Sequence, residues 1–137
     1  MELNFSISEG DMSVAGTAST NLKKKLLQLG VDPAIIKKAV ISLYEAEINM
    51  VIHGGGGDVN IDITPEIVTM VVADKGPGIP DIDLAMQEGY STATDMIREM
   101  GFGAGMGLPN IKRNSDFMEI KSKPGEGTTV IIKVKLS

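Results

Sequence analysis

The sequence predicts an α+β fold, a two-layer α/β sandwich in which a mainly antiparallel sheet carries helices on one face. Three observations predict it. Apolar residues alternate with polar ones near the N-terminus, in two runs between residues 59 and 71, and again between 117 and 136, the period of half-buried strands. Two stretches between residues 17 and 53 instead space their apolar residues as one face of a helix. The resulting order is strand, two helices, hairpin, glycine-rich segment, helix, hairpin, which segregates helices from antiparallel strands.

Leu3, Phe5 and Ile7 set the first strand, and Gly10-Asp11 breaks it. Thr17, Ser19 or Thr20 offers an N-cap for a helix to about Leu29, with Leu22, Leu26, Leu27 and Leu29 inward and Lys23, Lys24 and Lys25 on a solvated face. Gly30 suits its stop. Asp32-Pro33 restarts the helix, a capping carboxylate followed by proline at the first helical position. That second helix carries Ile35, Ile36, Ala39, Val40, Leu43, Ala46, Met50 and Val51, and ends near His53 at Gly54-Gly55-Gly56-Gly57. Val59-Ile61-Ile63 and Ile67-Thr69-Val71 form a hairpin around Thr64-Pro65-Glu66. Residues 81–100 read as short helical pieces broken around Gly89-Tyr90-Ser91-Thr92, and a helix of about two turns reaches Ile111. Phe117, Glu119, Ile120 and Lys121 begin a strand, Pro124-Gly125-Glu126-Gly127 turns, and the last strand sets Val130, Ile132 and Val134 on one face.

Composition narrows the function. At 137 residues the chain suits one domain, residues 1–137. With no cysteine and one histidine, thiol catalysis, disulfide frameworks and multi-histidine zinc sites are excluded. A net charge of −5 argues against direct nucleic-acid binding, which asks for a basic face. No apolar run approaches the roughly 20 residues of a membrane span, and Met1-Glu2-Leu3-Asn4 does not open a signal peptide. The expected setting is the cytoplasm. The 16 glycines gather largely at 54–57, 76–78 and 101–107, where backbone either turns or works close to a ligand.

Three features carry chemistry. Glu45 and Asn49 stand four apart on the second helix and share a face, where a carboxylate beside an amide can orient a hydroxyl and offer oxygen to a hard cation; on spacing alone they are also an ordinary helix surface. Glu47 is placed on the surface, away from Glu45. Asp74-Lys75-Gly76-Pro77-Gly78-Ile79 follows a strand; the aspartate can accept from an exocyclic amine while the glycines admit a flat ring, or the segment is a plain turn. Gly101, Gly103, Gly105 and Gly107 precede a helix near Leu108-Pro109, and exposed N–H groups there suit phosphates, with a flexible loop as the alternative. The spacing fits neither a Rossmann nor a P-loop motif.

The order of these boxes is more specific than any one of them. Glu-x-x-x-Asn on a helix, Asp-x-Gly-x-Gly-Ile after a strand, Gly-x-Gly-x-Gly-Leu before a helix and Gly-Thr-Thr before the last strand resemble the Bergerat-fold ATPases shared by gyrase, Hsp90, histidine kinases and MutL. The resemblance spans roughly residues 35–135. It implies binding of ATP and Mg²⁺, with Asn49 as metal ligand and Glu45 as the base beside it. It implies that Asp74 reads the adenine amine, with Gly76, Gly78 and Ile79 against the purine. Gly103, Gly105, Met106, Gly107 and Leu108 match the phosphate loop, and Thr128 or Thr129 the threonine that helps hold Asp74. His53 is similar to a histidine near the nucleotide in the anti-sigma branch; a helix C-terminal histidine favoured by the dipole is the other reading.

Ala85 to Thr92, Gly105 to Arg113 and Lys123 to Val130 look like the serine/threonine switch kinases of bacterial partner-switching modules. Residues 93–100 resemble an insertion that lengthens the loop, Asn114-Ser115-Asp116 replaces a more apolar run, and Tyr44 stands before Glu45 where a small residue is usual. The expected function is an ATP-dependent protein serine/threonine kinase acting on a STAS-domain antagonist. The alternative is an anti-sigma factor or nucleotide-dependent regulator that holds a sigma factor with little turnover, for which a homodimer with an exposed apolar patch would speak. Residues 89–107 are expected to move without nucleotide.

Overall fold

In the computed structural model, which describes residues 1–8, 16–53, 56–74, 107–123 and 127–136, the elements follow the predicted order. They are β1 (Glu2–Ser8), α1 (Thr17–Gln28), α2 (Pro33–His53), β2 (Gly56–Ile63), β3 (Ile67–Asp74), α3 (Gly107–Asn114), β4 (Phe117–Lys123) and β5 (Gly127–Lys135). The strands form one sheet in the order β1-β2-β3-β5-β4, antiparallel at every junction. The helical pieces expected within 81–100 lie outside the described residues.

Register explains where the core sits. Directly opposed residues of antiparallel strands share a face. Leu3 faces Ile61, Ile61 faces Met70, Met70 faces Ile132, and Ile132 faces Met118, so one row crosses all five strands. A neighbouring row runs Phe5, Val59, Val72, Val130 and Ile120. Ile61, Met70 and Ile132 are fully buried, each contributing about 1.5–3 kcal/mol on burial. The buried face of β3 is therefore Val68, Met70 and Val72, and the expected set Ile67, Thr69 and Val71 lies half-buried on the other face. Both sets are β-formers, and pairing with the odd-numbered residues of β2 decided between them.

Helix α2 is the centre of the second layer, contacting α1, α3, β1, β2, β3 and β5. Its start is as predicted: Asp32 Oδ1 accepts the Ala34 N–H at 2.8 Å. The start of α1 is not. No side chain of Thr17, Ser19 or Thr20 caps it; Gly16 takes the N-cap position with φ 95°, and the Tyr44 ring lies against it. Leu22 and Leu26 are buried, but Leu27 and Leu29 are half-exposed, because α1 meets α2 along a stripe only two leucines wide. The hairpin turn at residues 64–66 closes through Thr64, whose Oγ1 accepts the Ile67 N–H at 3.1 Å. Asp116 Oδ2 accepts the Lys135 N–H at 2.7 Å, so the polar run 114–116 ties the entry of β4 to the end of β5. No described helix is long and apolar enough to cross a membrane.

Candidate functional site

Glu45 and Asn49 lie one turn apart on α2, both half-buried. Burial pushes the Glu45 carboxyl above its ordinary value, and a hydrogen bond from the Asn110 side chain on α3 opposes that shift. A carboxylate held this way is a better proton acceptor than an exposed glutamate once ionised. Its neighbour Asn49 offers a neutral oxygen. No group of three or more histidine or acidic side chains gathers among the described residues. Side by side on α2, the two groups could offer oxygen to a hard cation.

The second part of the site is the end of β3. Asp74 is its last residue, and Asp74 Oδ1 accepts the Thr128 backbone N–H from β5 at 2.9 Å. Two glycines press on Asp74 from either side. A Cβ on Gly127 would stand 2.3 Å from the Asp74 carbonyl oxygen, and that residue has φ +95°. A Cβ on Gly57 would stand 2.1 Å from the Ala73 carbonyl oxygen and 2.7 Å from Asp74 Cα. Glycine is the side chain that lets β2 and β5 close on Asp74 this tightly. The same Gly57 Cβ would meet Met50 Sδ at 2.9 Å, which places the turn of α2 beside Asn49 over the end of β3. Helix α2, the end of β3 and the start of β5 thus converge at one end of the sheet.

Of the remaining expected residues, Thr128 is buried and Thr129 half-buried beside Ala73. His53 is the last residue of α2, Gly107 the first of α3, and Leu108 lies in its first turn. Gly76, Gly78, Ile79, Gly103, Gly105 and Met106 lie outside the described residues, as does most of the 89–107 loop.

One expectation is overturned. Glu47 is not on the surface but fully buried. Its carboxylate accepts the backbone N–H groups of Gly16 at 2.9 Å, Ala18 at 3.1 Å and Ser19 at 2.7 Å, and so supplies the cap that α1 lacks. The spacing held this signal: Glu47 is four residues from both Leu43 and Val51, on the inward face. Pointing away from Glu45 turns the side chain toward α1, not toward solvent. Asn110 and Gly57 were also missed as contributors, since each acts on an element distant in sequence; Gly127 stands in the Gly-Thr-Thr box.

The chain matches the family model of the histidine kinase-, DNA gyrase B- and HSP90-like ATPases over residues 35–137. It is 32% identical over 128 residues to the serine/threonine-protein kinase RsbT of Bacillus subtilis, covering 90% of this chain and 88% of that protein. It is 35% identical over 135 residues to an anti-sigma F factor of Thermoanaerobacter sp. strain X514, covering 95% of this chain and 89% of that protein. An anti-sigma F factor of Clostridium beijerinckii is 33% identical over 115 residues, 78% of this chain and 77% of that protein.

Proposed function

The chain belongs to the histidine kinase-, DNA gyrase B- and HSP90-like ATPase family, in its switch-kinase and anti-sigma branch, and from that premise we propose an ATP-dependent protein serine/threonine kinase. Its acceptor is a serine or threonine of a STAS-domain antagonist in a bacterial partner-switching module. Residues 1–137 act as one ATPase unit in the cytoplasm. The observation that carries the reading is the half-buried Glu45 carboxyl, raised by burial and one turn from Asn49.

Asp74, held by Thr128 and closed in by Gly57 and Gly127, receives the adenine amine. Asn49 would supply an oxygen ligand to Mg²⁺, which would offset phosphate charge there. The family resemblance assigns Gly76, Gly78 and Ile79 to the purine, and Gly103, Gly105, Met106, Gly107 and Leu108 to the phosphates. Glu45 accepts the proton of the incoming hydroxyl as that oxygen bonds to the γ-phosphorus, and the bond to the β–γ bridging oxygen breaks to release ADP. Catalysis is then mostly positioning with electrostatic support.

The test is transfer of label from γ-labelled ATP to the STAS-domain proteins of the source organism, with Glu45→Ala as control. Label on one protein that disappears in the variant supports the kinase. Confirmed ATP binding without label favours a second reading, an anti-sigma factor that pairs as a homodimer and holds a sigma factor. The anti-sigma F factors among its relatives support that reading, and capture of a sigma factor tests it.

A further inference from the structure

We propose that the outer edge of β1 takes up an extended, acidic segment of a protein partner as an added strand, with α1 supplying the countercharge. Among the described residues β1 pairs only with β2, so it is an edge of the sheet. Met1 and Ile63 exchange both backbone hydrogen bonds, at 3.0 and 2.8 Å. Such pairs alternate along an antiparallel ladder, so Leu3, Phe5 and Ile7 also turn their backbone groups to β2. Glu2, Asn4 and Ser6 then turn theirs outward. Natural edges are blunted by lysine, proline or bulges. β1 has no lysine or proline, and its register with β2 runs unbroken from Glu2 to Ser8. The other edge, β4, carries Lys121 and Lys123.

The groove beside that edge sets the chemistry of the partner. It measures about 370 Å³, with half-buried Leu3 and Phe5 on its strand side and Asn21, Lys24, Lys25 and Gln28 on its helix side. Both charged residues lining it are lysines, and neither joins an ion pair among the described residues. Helix α1 itself has no acidic residue. A strand bonded to Asn4 and Ser6 sets every second side chain into this groove. Apolar ones meet Leu3 and Phe5, and carboxylates meet Lys24 and Lys25. A second copy of the chain also has this edge to offer. Two β1 strands paired about a two-fold axis would bring the lysines of both copies over one seam, like charge against like. The lysines therefore select against self-pairing and for an acidic partner. The groove lies toward the Glu2 end of β1, away from the candidate site; at the other end Ile7 pairs with Gly57, and Gly57 with Asp74.

The probe is a strand-length fluorescent peptide in which threonine alternates with glutamate or valine, titrated against the full chain by polarisation. A counterpart peptide carries lysine for glutamate. The glutamate peptide should bind and the lysine peptide should not. Asn4→Pro removes an outward N–H without touching the β2 ladder, a change that an edge strand tolerates. It should weaken binding about tenfold or more. Asn4→Ala loses the same side-chain bond to Asn60 but keeps that N–H, and should bind like wild type. Lys24→Glu combined with Lys25→Glu should weaken binding by a similar factor. Lys37→Glu with Lys38→Glu, the same charge change on the exposed side of α2, should leave it unchanged. The Lys24 and Lys25 pair lies outside the core, so its outcome stands whether or not the proline is tolerated. Failure of the glutamate peptide to bind, or equal binding of the lysine peptide, overturns the acidic partner. Undiminished binding to Asn4→Pro overturns strand addition. Sedimentation of the chain alone tests the second copy: a dimer that Asn4→Pro disperses assigns this edge to self-pairing and overturns the proposal.

Discussion

The Glu47 carboxylate of α2 accepts the Ser19 backbone N–H at 2.7 Å, and that bond leads a set of three that begins helix α1 from another helix. An anion at a helix N-terminus satisfies orphan donors and complements the dipole. Because the anion comes from the helix that carries Glu45 and Asn49, the same carboxylate joins the α1–α2 packing to the candidate site.

Glu47→Ala should accordingly cost about 3 kcal/mol, since buried N–H groups lose their acceptor. Urea unfolding measures this. Ser19→Ala keeps the backbone donor and should cost clearly less.

The same group predicts a pH dependence of stability. Burial raises the Glu47 carboxyl above 4.5, and its hydrogen bonds to Ser19, Ala18 and Gly16 only partly counter this. The folded chain therefore holds that proton more tightly than the unfolded chain. Glu47's contribution is fully present below the unfolded value and is lost as pH rises from there through the raised folded value. Glu45 is raised in the same direction. Stability should fall as pH climbs through that window, and Glu47→Gln should flatten the Glu47 share of the slope. An unchanged slope in Glu47→Gln would refute the assignment.

Glu45 must be ionised to accept a proton. Its raised carboxyl places the acidic limb of the kcat profile above the 4.5 of an ordinary glutamate. Glu45→Ala should abolish transfer while nucleotide binding, followed by calorimetry, stays largely intact.

Asn49→Ala should remove the Mg²⁺ dependence of ATP binding. Titrations with and without the metal should then coincide.

Asp74→Ala should weaken ATP binding more than GTP binding, because the carboxylate accepts from an amine that adenine carries at that position. Gly127→Ala should reproduce part of this loss with Asp74 intact, since its Cβ would stand 2.3 Å from the Asp74 carbonyl oxygen. Competition titrations with the two nucleotides measure both effects. Equal losses for ATP and GTP in Asp74→Ala would remove the adenine role.

The sequence by itself determined the order of elements, because alternation, helical spacing and the Asp32-Pro33 cap are local signals that survive in three dimensions. It also determined the spacing of Glu45 and Asn49, which helix geometry alone places on one face, and the boxes that mark the family. Tertiary structure decided what depends on partners far along the chain. The choice of Val68, Met70 and Val72 as the buried face of β3 came from its register with β2 and β5. The burial of Glu47 came from the uncapped start of α1, 28 residues away at Ser19. The hold on Asp74 came from Gly57 and Gly127, brought together by strand pairing. In each case the deciding energy is a long-range contact that only closure of the sheet and docking of the helices creates.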